Sequence, residues 1–323
     1  MHLIHAKQIM TTKPPILVTG SHRSGTTWVG RMLAEAPSVV YIHEPFSVSD
    51  PPGRGVCNIR FKNWFTYINA ENERDYYTAI SNTVNLKYDL PGALKNVRSF
   101  TDLRNTYKEY RQFSTYRHQG ARALLKDPIA VFSSAWLAEK FNAKPVILIR
   151  HPAAFISSIM KLKWAHPFDH FLIQKSMMKD LLSPFREEIE EYARDHKPLF
   201  DQAILLWRII HYQILQYQKE HADWIFIRHE DISQDPVAGF QILFKKLDLE
   251  FTEKAQTIIK TYSGSENPGD TSAPVGSEET LKRDSKSNMF NWKKRLSDSE
   301  IKEVRNRVED ISCMFYTDSE WEK

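Results

Sequence analysis

At 323 residues, with 41% hydrophobic, 26% charged and 12% aromatic side chains, the chain can furnish one large core or two tightly joined domains, and collagen-like, coiled-coil and disordered readings are excluded. Forty-four Lys and Arg against 40 Asp and Glu leave +4, too small an excess to hold a polyanion such as duplex DNA by net charge. Two cysteines, Cys57 and Cys313, lie far apart and compose neither a zinc ligand set nor a disulfide framework, which fits a reducing compartment.

Residues 1–13 contain no continuous apolar run and read as a flexible lead with no signal peptide. Residues 15–19 form a short apolar run that stops at Gly20, and from Gly25 onward Trp28, Val29, Met32 and Leu33 recur at helical spacing, predicting strand, tight loop, helix. Further apolar runs follow at 39–42, 123–125, 146–149 and 224–227, with helical patterns such as 132–140 and 153–161 between them. Strands apolar on both faces that alternate with helices predict a three-layer α/β fold, a central parallel sheet flanked by helices. The richest apolar run, 203–217, is broken by Arg208, His211 and Gln213 and reads as a buried helix. With neither leader nor anchor, the expectation is a soluble, cytoplasmic protein with no transmembrane segment. No internal repeat is apparent.

Two stretches stand apart from this skeleton. Between 95 and 122, seven cations (Lys95, Arg98, Arg104, Lys108, Arg111, Arg117, Arg122) face Asp102 and Glu109, with Tyr107, Tyr110, Phe113 and Tyr116 interleaved. This is either a solvated helix with an aromatic stripe on the core or an acceptor-binding surface. Between 263 and 280, 11 of 18 residues are Ser, Gly, Pro or Thr, which predicts a mobile loop near 263–288, either a lid or a connector.

The segment Gly20-Ser-His-Arg-Ser-Gly25-Thr26-Thr27 has the setting of an anion-binding loop: glycines let backbone N–H groups converge and the helix start adds its positive end. A Walker A loop carries Lys and then Ser or Thr at its end, whereas this chain has Thr26 and Thr27, and its cation is Arg23. The exchange argues for a ligand with a different terminal group and for chemistry without a metal. A second constellation, Arg150 to Ser158 with Pro152 at a helix start, ends the run 146–149 and can meet a phosphate at the carboxyl edge of the sheet.

Together these two motifs resemble the sulfotransferase family that uses 3'-phosphoadenosine 5'-phosphosulfate (PAPS) and releases 3'-phosphoadenosine 5'-phosphate (PAP). The resemblance covers nearly the whole chain from about Pro14 and implies a P-loop NTPase-like fold, a single domain over 14–323, and acceptor-binding insertions near 50–120 and 164–200. It implies that Arg23, Ser24, Gly25, Thr26 and Thr27 grip the 5'-phosphosulfate, that Trp28 stacks on adenine, and that Arg150 and Ser158 bind the 3'-phosphate. The family's C-terminal basic and tryptophan segment is similar to Lys286–Arg295, which makes Arg283, Ser285 and Lys286 candidates for closing over the cofactor. Arg228-His-Glu-Asp231 looks like the family's Tyr-Glu-Asp segment, with His229 where a Tyr near the adenine is common.

Sulfuryl transfer needs a base for the acceptor proton and cations for the leaving oxygen. The cytosolic branch of the family carries Lys-Thr-His after its third strand, and this chain has Lys126-Asp127-Pro128 there. Branches acting on glycans and on tyrosine place a Glu after the second strand, which corresponds to Glu44 in His43-Glu44-Pro45. Glu44 is therefore the expected base, with His43 as fallback; neighbouring strand residues point to opposite faces, so one of the two is expected at the acceptor. Lys126 and Arg23 are expected to neutralise the transferring group. His166, His170, His211 and His221 show no metal-ligand spacing and read as surface or core histidines.

The leading reading is a PAPS-dependent sulfotransferase acting on a small-molecule or glycan hydroxyl, with no nucleic-acid partner. The alternatives are a P-loop kinase or nucleotide phosphotransferase, and a non-catalytic nucleotide- or glycan-binding module. Residues 51–77 and the cationic aromatic stretch are expected to line the acceptor site.

Overall fold

The computed structural model describes residues 13–48, 56–270 and 281–322. Five parallel strands, β1 (Ile16–Gly20), β2 (Val39–His43), β3 (Arg122–Lys126), β4 (Lys144–Ile149) and β5 (Ile225–Arg228), form one sheet in the order β2-β3-β1-β4-β5. Each coincides with one of the five apolar runs of the sequence, because a strand covered on both faces needs apolar side chains at successive positions.

Alternation along these strands feeds two cores. Leu17, Leu125, Ile147 and Ile149 pack on one side, under the helices Pro152–Leu162, Leu199–Glu220 and Asp298–Ser312. Ile16, Val18, Leu124, Val146 and Leu148 pack on the other, under the helices Thr26–Leu33, Pro236–Lys246 and Glu253–Ser263. The result is the three-layer α/β architecture expected from the sequence. The long helix Leu199–Glu220 buries its apolar run against the sheet, and His211 sits inside it, stacked on Trp207 at 4.1 Å with Nδ1 2.8 Å from the Trp207 carbonyl oxygen. No helix among the described residues is long and apolar enough to cross a membrane.

Two elements differ from the sequence reading. The helical pattern at 132–140 is preceded by a 3-10 turn, Pro128–Ser133, because Asp127 accepts a hydrogen bond from Ile129 N (3.1 Å) and Pro128 supplies its φ. Of the loop expected near 263–288, residues 271–280 lie outside the described residues, and its end is ordered as the helix Ser285–Met289, capped by Asp284. The lead at 1–12 and residues 51–55 of the expected acceptor region also lie outside them. At the carboxyl end of β1 the chain turns at Gly20 (φ 140°), where a Cβ would stand 2.3 Å from the Leu148 carbonyl oxygen. That close approach brings the loop after β1 against the end of β4.

Candidate active site

The loop after β1 folds as a cradle. Arg23 (φ 67°) and Gly25 (φ 92°) take left-handed backbone, and Ser24 closes the turn through Oγ to the Ser21 carbonyl (2.5 Å). The helix Thr26–Leu33 starts at Gly25 with no side-chain cap, so its first amides remain available to an anion. Gly25 is required here for space as well as φ, since a Cβ would lie 2.6 Å from His229 Nδ1.

β4 delivers the second motif beside the first. Arg23 Nε donates to Ser158 Oγ (3.1 Å), and Arg150 Nη1 donates to the Arg23 carbonyl oxygen. Arg150 is 9% exposed, and its Nε has no hydrogen-bond partner among the described residues. Burial lowers its pKa, a cost partly offset by Glu230. Glu230 is itself raised by burial; it accepts from His151 N (3.1 Å) and the Tyr316 hydroxyl (2.9 Å). Arg23 falls to about 10 through burial and the nearby charges of Arg150, Arg283 and Arg295. Four guanidiniums crowded to that point form a site for a highly charged anion.

These groups open onto a cleft of about 410 Å³ at the carboxyl edge of the sheet. Of the residues singled out in the sequence, Arg23, Gly25, Thr26, Thr27, Trp28, His43, Glu44, Arg150, Ser158, Arg283 and Ser285 line it. Trp28 is held edge-on by Phe240 (5.1 Å) and His229 (5.9 Å). Ser24 lies buried beneath the loop, Lys126 is fully buried behind Glu44, and Lys286 is exposed and away from the cleft.

The lining includes His229, which the sequence reading set where a Tyr near the adenine is common, and adds Lys161, Trp164, Asp270 and Arg295, to which it assigned no role in the cleft. Lys161 stands three residues after Ser158 on one helix, a spacing that places both on the same face and could have revealed it. Asp270 has no local signal: it accepts from Lys161 Nζ and Arg295 Nη2, each at 2.7 Å, across 109 and 25 residues of sequence.

The third group stands where β2 and β3 end. Glu44 leaves β2 with φ 43°, its N–H donates to the Lys126 carbonyl (2.8 Å), and its Oε1 accepts from Lys126 Nζ. The left-handed turn brings His43 and Glu44 onto the same cleft, in place of the opposite faces that strand alternation predicts. Glu44 Oε2 is 3.9 Å from His43 Nε2, beyond hydrogen-bond reach. Burial, and next the charge on Lys126, lower the His43 pKa, against the opposing charge of Glu44. The Lys126 stem runs past Gly30, where a Cβ would meet its Cγ at 3.0 Å. Burial lowers the Lys126 pKa and Glu44 raises it in opposition. Below the pair, Asp127 is fully buried, raised to about 7 by burial and the Glu44 charge, and accepts from Phe46 N (2.6 Å), tying the 44–47 turn to β3.

Among the described residues of 51–77 and 95–122, none lines this cleft. No group of three or more His, Cys, Asp or Glu among the described residues is placed to hold a metal ion. His166 packs among Phe65, Phe168 and Phe171, His170 Nδ1 accepts from Trp64 N (3.0 Å), and His221 stacks on Trp224.

A family model described as the sulfotransferase family matches residues 14–253. Among solved structures, the sulfotransferase domain of the olefin synthase from Synechococcus PCC 7002 is 17% identical, covering 95% of this chain and 96% of that chain at a TM-score of 0.49. Mouse sulfotransferase SULT7A1, complexed with PAP, is 9% identical over 95% of this chain and 86% of that chain, also at 0.49. Sulfotransferase STF9 from Mycobacterium avium is 13% identical over 94% and 77%, at 0.45. A search of curated proteins gave no match. The matched stretch begins before β1, runs past β5 and contains both the loop of Arg23 and the segment from Arg150 to Ser158, and on that match the chain belongs to the sulfotransferase family.

Proposed function

We propose that the chain transfers the sulfuryl group of PAPS to a hydroxyl of a carbohydrate, with Glu44 as the general base. The observation that carries this reading is the Glu44–Lys126 pair at the mouth of the cleft that also holds the loop of Arg23. Lys126 occupies Oε1, which leaves Oε2 to take the acceptor proton. A general base needs a carboxylate oxygen free to take the proton and held in position, and the contact with Lys126 holds this one.

PAPS supplies the sulfuryl group and carries its charge at two ends. The amides of residues 24–27 and Arg23 would hold the 5'-phosphosulfate and receive the charge that grows on the leaving oxygen. Arg150 and Ser158 would hold the 3'-phosphate; the donor left over on Arg150 Nε fits an additional anionic partner. Trp28 offers its ring to adenine. Lys126, with its ammonium against Glu44, orients the base, and Arg23 carries the neutralisation of the transferring group. Arg283 and Ser285 approach the same cleft from the C-terminal segment. Trp164, 41% exposed at the cleft and 5.7 Å from the Arg23 guanidinium carbon, offers a flat apolar platform among cations, which suits a polar sugar.

A screen of radiolabelled PAPS against glycan, lipid and phenolic acceptors tests the reading. Transfer to glycan hydroxyls that is lost in Glu44→Ala supports it. Transfer confined to phenols, or unaltered by Glu44→Ala, overturns the acceptor or the base respectively. Binding of ATP and magnesium in preference to PAP would favour a phosphotransferase.

A further inference from the structure

The helix Phe100–His118 has two faces of different fate. Its inner face is anchored: Tyr110, Phe113 and Tyr116 pack against the core, and Glu109 accepts from the Tyr88 hydroxyl at 3.0 Å. Its outer face is bare. Phe100 is 82% exposed, Tyr107 57% and Leu103 43%, and none of the helix is buried. At helical spacing these three fall on one stripe, and Arg104, Lys108 and Arg111 share it. Asp102 and Glu109, seven residues apart, fall on the opposite side. The outward stripe therefore carries three large apolar side chains and three cations, with no carboxylate.

We infer that this face docks the enzyme on an anionic lipid surface. Charge complementarity and apolar exposure point to the same occupant. Cations on an amphipathic helix are drawn to anionic headgroups, and Phe, Leu and Tyr between them enter the headgroup–acyl boundary, where apolar area leaves water. A soluble polyanion would satisfy the three cations and leave Phe100 and Leu103 in water, so it accounts for half of the stripe. The face lies apart from the cleft, whose lining includes no residue from this helix. Docking and sulfuryl transfer are consequently separable.

The full chain is tested by flotation with vesicles of phosphatidylcholine alone and of equimolar phosphatidylcholine and phosphatidylglycerol. Binding is expected to the mixed vesicles and not to the neutral ones, weakening as salt is raised. With each Lys or Arg near an anionic leaflet contributing roughly fivefold to partition, the triple variant R104E/K108E/R111E should lose about 100-fold or more. F100S/L103S should also lose binding, and both variants should keep wild-type transfer to a soluble acceptor. The inference is overturned if the wild type ignores mixed vesicles or binds neutral ones equally. It is overturned as well if the triple variant binds mixed vesicles like wild type, or if F100S/L103S does so while heparin competes fully, which would assign the stripe to a polyanion.

Discussion

Deleting the Glu44 carboxylate removes the proposed base and strands a buried cation, so one substitution has two separable readouts. Lys126 is fully buried and its ammonium donates to Glu44, whose side chain is 34% exposed. Removing one partner of a fully buried pair costs about 3–5 kcal/mol; with water reaching the carboxylate here, roughly half of that, about 1.5–2.5 kcal/mol, is the reasonable expectation. At roughly 2–4 °C per kcal/mol, Glu44→Ala should melt about 3–10 °C below wild type. Turnover should fall by about 100-fold or more with PAP affinity retained, the scale of a lost general base.

The pH dependence has a defined sign. Burial holds Lys126 below the ordinary 10.5, and without Glu44 it falls further. A lysine with a depressed folded pKa costs stability at low pH and recovers it as pH rises towards its unfolded value, so the deficit of Glu44→Ala should shrink towards pH 10.5. The double variant Glu44→Gln/Lys126→Met removes both charges and should regain most of the lost stability while staying inactive. Labelled-PAPS kinetics and thermal denaturation of the three proteins decide the matter. Wild-type turnover in Glu44→Ala refutes the base, and no stability gain in the double variant refutes the coupling.

Arg150→Ala should weaken PAP binding roughly 10- to 100-fold, the range of a lost charge-assisted hydrogen bond, and bind the 3'-dephospho analogue much as wild type does. Equal losses for the two nucleotides in a titration would place the 3'-phosphate elsewhere. His151, whose ring lies 4.8 Å from Trp292 with both nitrogens lacking hydrogen-bond partners among the described residues, is lowered to about 3, chiefly by burial. Its unfolded form takes up a proton near 6.5 and its folded form resists until about 3, so stability is lost as pH falls through that window, on the order of 5 kcal/mol in full. His151→Phe should therefore move the acid-unfolding midpoint seen by circular dichroism to lower pH; an unmoved midpoint contradicts the assignment.

All five strands were legible because burial on both faces imposes a run that few other elements share, and the loop after β1 was legible because its two glycines and Arg23 occupy fixed offsets from a strand end. What escaped depends on geometry that a local pattern does not carry. Alternation along β2 sets His43 and Glu44 on opposite faces, and a single left-handed residue at Glu44 cancels that rule and brings both to the cleft. The burial of Lys126 behind Glu44 is likewise not carried by its local pattern. Asp270 and Arg295 meet only through the return of the C-terminal chain. The basic aromatic helix shows the limit most clearly. Phe100, Leu103 and Tyr107 are the same kinds of residue as Tyr110, Phe113 and Tyr116, yet the first group faces water and the second faces the core. Periodicity establishes that such a helix has a stripe; which stripe the protein keeps for itself is set by Tyr88 and the neighbouring core, more than ten residues away. The same aromatics amid cations that suggested an acceptor platform are turned away from the cleft, and the ring that does stand there, Trp164, comes from a different part of the chain. An acceptor is therefore to be sought in chemistry that fits Trp164, His43 and Lys161, and the outward stripe in chemistry that acts at a distance from transfer.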